Sequence, residues 1–165
     1  DSQYGPHLKT LMSNEYNVAD VVAAADLVVG SVLIPGAATP KLVTRPMIAA
    51  MRNGSVLVDI AIDQGGCFEG SHPTTHEDPV FDQDGKQMYC VANMPGAVPR
   101  TSTVALTNAT LPYLLRLADL GWRDALTRDP HLARGLNVHA GSLTHSEAAE
   151  ALGWDYVPVD TILAG

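Results

Sequence analysis

The chain has 165 residues, enough for about one domain and short for two at the usual span of roughly 100–200 residues per domain. Hydrophobic residues make up 46% and charged residues 17%, a balance that can build a core and excludes a disordered chain. With 10 Lys and Arg against 18 Asp and Glu the formal net charge is −8; no basic cluster tracks phosphates and no apolar run reaches the ~20 residues of a membrane span, so neither nucleic acid nor a bilayer is an expected partner.

Asn17 to Ala25 places Val18, Val21, Val22 and Ala25 at helical spacing, with Asn17 as the expected N-cap. Asp26 to Ile34 is a nearly unbroken apolar run that stops at Pro35-Gly36, which predicts a strand buried on both faces. Thr44 to Met51 predicts a helix with Thr44 as cap, Pro46 in the first turn, and Met47, Ile48 and Met51 on one face. Ser55 to Ile62 predicts a second buried strand and Gln87 to Ala92 a third. Strands alternating with short helices indicate crossover units and a parallel sheet, with right-handed crossovers placing helices on both faces. Asp63 to Lys86 holds four Gly and two Pro and is too long for a plain connector, which predicts a functional loop.

The second part changes character. Thr101-Ser102-Thr103 offers N-caps for a long helix from Val104 to Leu120, closed by Gly121, and Pro112 is expected to kink it near Asn108. Trp122 to Arg128 predicts a short helix, and Asp129-Pro130 starts another that ends at Gly135. Asn137 to Ser142 reads as a short extended piece with a glycine turn. Thr144 and Glu147 suggest a capping box for a last helix, Ser146 to Leu152.

Cys67 and Cys90 form no CxxC pair and no disulfide framework, so two free thiols in a reducing cytoplasm are expected. Six histidines are scattered, and only His72 and His76 stand four apart, in a Pro- and Thr-rich loop, so no metal site is expected. The chain opens on Asp1-Ser2-Gln3, with neither Met nor a basic-then-apolar leader; the expectation is a piece of a longer polypeptide without a secretory signal.

In an open parallel sheet, ligands bind beyond the carboxyl ends of the strands. That rule selects Val32 to Gly36, Ile60 to Gly66 and Val91 to Gly96 as one rim of a nucleotide crevice. Asp63 ends an apolar strand and precedes two glycines. There it serves either as a partly desolvated acid/base group, its pKa raised by burial, or as a turn cap on the Gly65 or Gly66 amide. Asp59, inside the strand, reads as a structural group paired to backbone or a neighbouring loop. Ser13 and Asn14 read as generic polar loop residues, Arg100 as a surface or interdomain ion-pair partner, and His76 as a solvated side chain. GxSxG, P-loop and GxGxxG motifs are absent. The residues alone thus predict half of a doubly wound α/β domain with a ligand rim, joined to helices.

Three strings become informative together: Gly30-Ser-Val-Leu-Ile-Pro-Gly36, Val58-Asp-Ile-Ala-Ile-Asp-Gln-Gly-Gly66 and Ala92-Asn-Met-Pro-Gly-Ala-Val-Pro-Arg-Thr-Ser-Thr103. In this order and spacing the chain resembles the C-terminal half of the alanine dehydrogenase/transhydrogenase family, on the alanine dehydrogenase side. Thr107 to Tyr113 and Gly135 to His139 extend the match, which runs from about residue 8 to about residue 160. The implied fold class is α/β: the second half of a doubly wound Rossmann-type parallel sheet, residues 1–100, plus the interdomain long helix and helical C-terminal part of the substrate domain, residues 101–165.

The resemblance implies reversible NAD-dependent oxidative deamination of L-alanine to pyruvate and ammonium, in a cytoplasmic homo-hexamer. It implies contact of Ser13 with the adenosine part of NAD, backbone and apolar contact from Val32 and Leu33, and a nicotinamide end lined by Ile60 and Asp63 and covered by Asn93 and Met94. Asp63 would be the catalytic carboxylate, moving protons and stabilising charge as ammonia adds and leaves. The family's dinucleotide glycine motif, ribose-reading acid, catalytic histidine and substrate-carboxylate Lys and Arg would precede Asp1, so the partner is a complementary N-terminal half, and an exposed apolar surface is expected on this chain. Two alternatives accompany this reading: a non-catalytic nucleotide-binding fragment, and the α subunit of a nicotinamide nucleotide transhydrogenase.

Overall fold

The apolar runs expected to pair as strands do so in a computed structural model that describes residues 3–34 and 38–165. The chain divides into two compact units. One holds the residues up to Leu33 with Ala38–Met94; the other holds Ile34 with Pro95–Gly165.

The first unit begins with helix α1, Glu15–Ala24. Its N-cap is Asn14, not Asn17: Asn14 has the extended backbone a cap requires, and its side-chain oxygen accepts from the Asn17 amide at 2.8 Å. Helix α2, Arg45–Ala50, turns Met47 and Ile48 into the core, and Met51 follows them. Thr44 occupies its cap position without a side-chain bond. Strands β1 (Leu27–Gly30), β2 (Val56–Asp59), β3 (Val80–Gln83) and β4 (Lys86–Tyr89) form one sheet in the order β1-β2-β4-β3. β1, β2 and β4 run parallel, with Val28 opposite Leu57 and Leu57 opposite Met88. Leu57, Met88, Ile48, Phe68, Cys67 and Cys90 form the centre of the core.

Four expectations about the sheet are corrected here. The run from Asp26 ends its pairing at Gly30, and Pro35 and Gly36 lie outside the described residues. β1 is also not buried on both faces: it is an edge of the described sheet, and Leu27 and Val29 are 58% and 51% exposed. The second run leaves the sheet at Asp59 for a 3-10 helix, Ile60–Gln64, so Asp63 does not end a strand. Finally, the expected long loop contains β3, antiparallel to β4. Asp84 and Gly85 have φ of 56° and 79°, the two positive dihedrals of a tight hairpin turn whose handedness suits twisted strands. An Asp-Gly pair between two strands is a recognised hairpin signal, and it was present in the sequence.

The second unit starts with helix α3, Pro99–Leu120. It begins at Val98 rather than at Thr101–Thr103, because Pro99 supplies a preset first-turn dihedral and needs no amide partner. Pro112 lies inside α3, and α3 buries no residue; Leu106 is 65% exposed. The expected exposed apolar surface is therefore present on both units. Helix α4 is Trp122–Arg128 and α5 is Pro130–Ala133. Asp129 caps α5, accepting from the His131 and Leu132 amides, and pairs with Arg116. Strands β5 (Val138–His139) and β6 (Ser142–Leu143) form a hairpin. Helix α6, Ser146–Leu152, is capped by His145 Nδ1, which accepts from the Ala148 amide at 3.4 Å. The expected capping box does not form: Thr144 donates instead to the Leu136 carbonyl, and Glu147 takes the Ser146 hydroxyl. Helix α7, Val159–Ala164, was not foreseen; its Ile162 and Leu163 carbonyls accept from Arg123. Among the described residues, no helix is long and apolar enough to cross a membrane.

Gly30 closes β1 against the core. A Cβ there would collide with the Cys67 sulfur and sit 2.7 Å from Cζ of Phe68, and both side chains are fully buried. Gly30→Ala is expected to destabilise the intact polypeptide by about 1–3 kcal/mol, the usual cost of overpacking. Denaturant unfolding checks this, and an unchanged midpoint would contradict the packing described.

Candidate functional site

Because β1, β2 and β4 are parallel, their C-terminal ends share one edge, and three segments leave from it: Ser31 to Leu33, Ile60 to Gln64 and Cys90 to Met94. Asp59, the last residue of β2, is 0% exposed and anchors this edge. Its carboxyl oxygens accept from the Cys67 amide at 3.0 Å, the Phe68 amide at 3.3 Å and the Ser71 hydroxyl at 2.7 Å. A Cβ on Gly66 would lie 2.7 Å from Asp59 Oδ2, and Gly66 has φ of 75°; only glycine lets the chain turn so close to the carboxyl group. This confirms the structural reading of Asp59. Lys41 holds the turn from outside, its ammonium donating to the Gly65 and Gly66 carbonyls at 2.5 and 2.9 Å.

The turn so fixed presents Asp63. The turn-cap alternative is overturned, since the Gly65 and Gly66 amides bond to the Ile62 and Ala61 carbonyls. Asp63 is exposed rather than desolvated in this chain. Its Oδ1 accepts from the Asn93 amide at 3.3 Å, and Oδ2 has no hydrogen-bond partner among the described residues. Asn93 has φ of 54°, a left-handed backbone that asparagine tolerates better than most side chains. Its carbonyl accepts from His76 Nε2 at 3.1 Å. His76 is thus exposed but engaged, a role no spacing in the sequence signalled.

Ser13 and Val32 meet along an open groove of about 430 Å³, walled also by Met12, Leu42 and Phe68. Leu33 and Ile60 are exposed and do not line it, and half-buried Met94 opens a 3-10 turn, Met94–Ala97. Asn14 is a helix cap, and Arg100 is exposed without an ion pair among the described residues. Both thiols are free and buried. Burial and the negative field and hydrogen bond of Asp59 push Cys67 up to about 11. Burial likewise raises Cys90, whose sulfur contacts the Ser71 hydroxyl at 3.9 Å. Among the described residues no group of three or more His, Cys, Asp and Glu is placed to hold a metal ion.

Comparison with known proteins bears directly on this edge. The family model described as "Alanine dehydrogenase/PNT, C-terminal domain" matches residues 1–146. The chain belongs to that family. It is 56% identical over 163 residues to an alanine dehydrogenase of Halomonas elongata and 52% identical over 164 residues to one of Mycolicibacterium smegmatis. Each alignment covers 99% of this chain and 44% of the relative, so the chain spans less than half the length of the curated relatives it matches. A solved L-alanine dehydrogenase superposes with a TM-score of 0.77 at 46% identity, over 92% of this chain and 42% of that one. A transhydrogenase from Sinorhizobium meliloti superposes with a TM-score of 0.50 at 33% identity, over 55% of this chain and 25% of that one. The expected resemblance and fold class stand, and the alanine dehydrogenases account for more of the chain.

The Cys67 environment has a consequence for stability. The unfolded thiol ionises near pH 8.5, and the folded one near 11. Folding therefore favours the protonated thiol, and this stabilisation is complete below about pH 8.5 and lost as pH rises through about 11. The denaturation midpoint is expected to fall between about pH 9 and 11, with a shallower fall in Cys67→Ala. Identical pH slopes for the two proteins would exclude this contribution.

Proposed function

We propose that the chain is the C-terminal portion of an NAD-dependent L-alanine dehydrogenase, catalysing reversible oxidative deamination of L-alanine to pyruvate and ammonium. The observation that carries the proposal is the placement of Asp63: solvent-facing at the C-terminal edge of the parallel strands, held through Oδ1 by the Asn93 amide, with Oδ2 left for a ligand. The family membership of the chain supports it. Residues 1–100 are assigned to the second half of the NAD-binding domain, and residues 101–165 to the interdomain helix and the C-terminal part of the substrate domain. The complementary N-terminal half, a homo-hexameric assembly and a cytoplasmic setting belong to the same reading; the two buried free thiols accord with a reducing compartment.

The residues at this edge fit a nicotinamide dinucleotide. Ser13 places a hydroxyl in an apolar groove beside Val32, suited to an adenosine, and Leu33 and Ile60 leave apolar side chains open where flat rings would lie. The bound cofactor supplies hydride transfer at the substrate carbon. Ile60 and Asp63 border the nicotinamide end in this assignment, with Asn93 and Met94 over it. Asp63 moves the protons of ammonia addition and departure and offsets positive charge on the nitrogen. A transhydrogenase α subunit or a non-catalytic nucleotide-binding fragment has no observation in its favour that this reading lacks.

In the intact enzyme, Asp63→Asn keeps the size and the bond from the Asn93 amide but can neither take a proton nor carry charge. Turnover of L-alanine is expected to fall by about 10²–10⁴, the range for a positioned acid/base group. NADH affinity, read by fluorescence titration, should change far less. Unchanged turnover would remove Asp63 from the mechanism.

A further inference from the structure

The segment from His72 to Pro79 is held against the sheet by its own short ladder. Thr74 pairs with Val91 in a single parallel bridge: its amide donates to the Cys90 carbonyl at 2.9 Å, and its carbonyl accepts from the Ala92 amide at 3.1 Å. The Thr74 hydroxyl donates to the Pro79 carbonyl at 3.0 Å, and Thr75 Oγ1 accepts from the Asp78 amide at 3.1 Å, so the loop closes on itself. His76 and Asn93 each stand two residues past the bridge partners Thr74 and Val91. There His76 Nε2 meets the Asn93 carbonyl at 3.1 Å, while the Asn93 amide meets Asp63 Oδ1 at 3.3 Å. A carbonyl only accepts, so Nε2 carries the hydrogen. Both backbone polar groups of one residue, itself in a left-handed conformation at φ 54°, are therefore taken by side chains from two different loops.

We propose that His76 is a positioning residue for the site: by donating to the Asn93 carbonyl it holds the strained Asn93 backbone, and through its amide it holds the orientation of Asp63. The proposal rests on the assignment of Asp63 given above. A left-handed backbone costs asparagine less than most side chains but is not its lowest-energy state, so surrounding bonds help to hold it. The Asn93 peptide groups have solvent as their alternative partner, and without the imidazole the residue can relax and release its amide from Asp63. Asp63 then samples orientations unsuited to proton transfer, and a misplacement of about 1 Å in such a group costs roughly 10²-fold. The imidazole acts here as a hydrogen-bond donor, and Gln can place an amide N–H near the same point.

The test compares His76→Ala and His76→Gln in the intact polypeptide by two readouts. The first is amide hydrogen exchange over residues 90–96, which needs neither cofactor nor turnover. Exchange is expected to accelerate at least about tenfold in His76→Ala and to stay near the parent rate in His76→Gln. The second is steady-state kinetics with L-alanine and NAD. His76→Ala is expected to lose about 10- to 100-fold in kcat with the L-alanine KM within about threefold, and His76→Gln to recover most of the loss. Unchanged exchange in His76→Ala, or equal defects in the two variants, would overturn the positioning role. If the parent protein turns over no L-alanine, the functional assignment fails while the exchange comparison still decides what His76 holds.

Discussion

The buried carboxyl group of Asp59 is the constraint on which the C-terminal edge of the sheet depends. A carboxyl group at zero exposure is tolerated only when its oxygens are satisfied, and here two amides, a hydroxyl and a thiol from residues 67–71 supply the donors. Those donors can reach Asp59 only if the chain reverses within a few residues of β2, which requires Gly66 to pass the carboxyl group without a side chain. The reversal forces Ile60–Gln64 into a 3-10 turn standing on the sheet edge, and Asp63 is carried on that turn. One polar group in the core thus decides where another, exposed one stands.

The same edge is braced from two further sides. Lys41 bonds to the carbonyls of the glycine turn, and the loop through Thr74 and His76 bonds to the strand extension that carries Asn93. Rigid placement of this kind is what the role proposed for Asp63 needs, because proton transfer depends on geometry before pKa. The long segment between Asp63 and Lys86 therefore has a physical account in both its halves. Its first part wraps Asp59 and delivers His76, and its second part adds β3 as an antiparallel edge strand.

The second unit is built by different means. Among the described residues it holds a two-stranded hairpin among short helices, and its longest helix, α3, buries none of its residues. A 22-residue helix bearing exposed Leu106, Leu111, Leu114 and Leu115 has too little burial within this chain to account for its own stability. Exposed Leu27 and Val29 on β1 present the same deficit in the first unit. Both accord with a chain that spans 44% of its relatives' length.

Much of the first unit was legible in the residues themselves. The apolar, β-branched runs of β1 and β2 mark strands, although β1 proves to be an exposed edge that the run alone did not signal. The spacing of Met47, Ile48 and Met51 marks a helix face for an equally local reason. The resemblance carried by Val58 to Gly66 and Ala92 to Thr103 supplied the family and singled out Asp63. Residue spacing could not supply the bonds between segments far apart in sequence. Asn93 reaches Asp63 across 30 residues, His76 reaches Asn93 across 17, and Lys41 reaches the glycine turn across 24 and 25. The caps of α1 and α6 likewise depend on backbone geometry as much as on residue type: Asn14 and His145 have the extended cap backbone and accept the capping bonds, while Asn17 lies inside α1 and the Thr144 hydroxyl donates to the Leu136 carbonyl. Sequence by itself placed the three parallel strands and, through the resemblance, pointed to Asp63, since apolar runs and motifs are written locally; the antiparallel strand β3 escaped it. Only the tertiary structure decided what holds that carboxylate in place, since hydrogen bonds between distant loops exist only once the sheet has brought their ends to one edge.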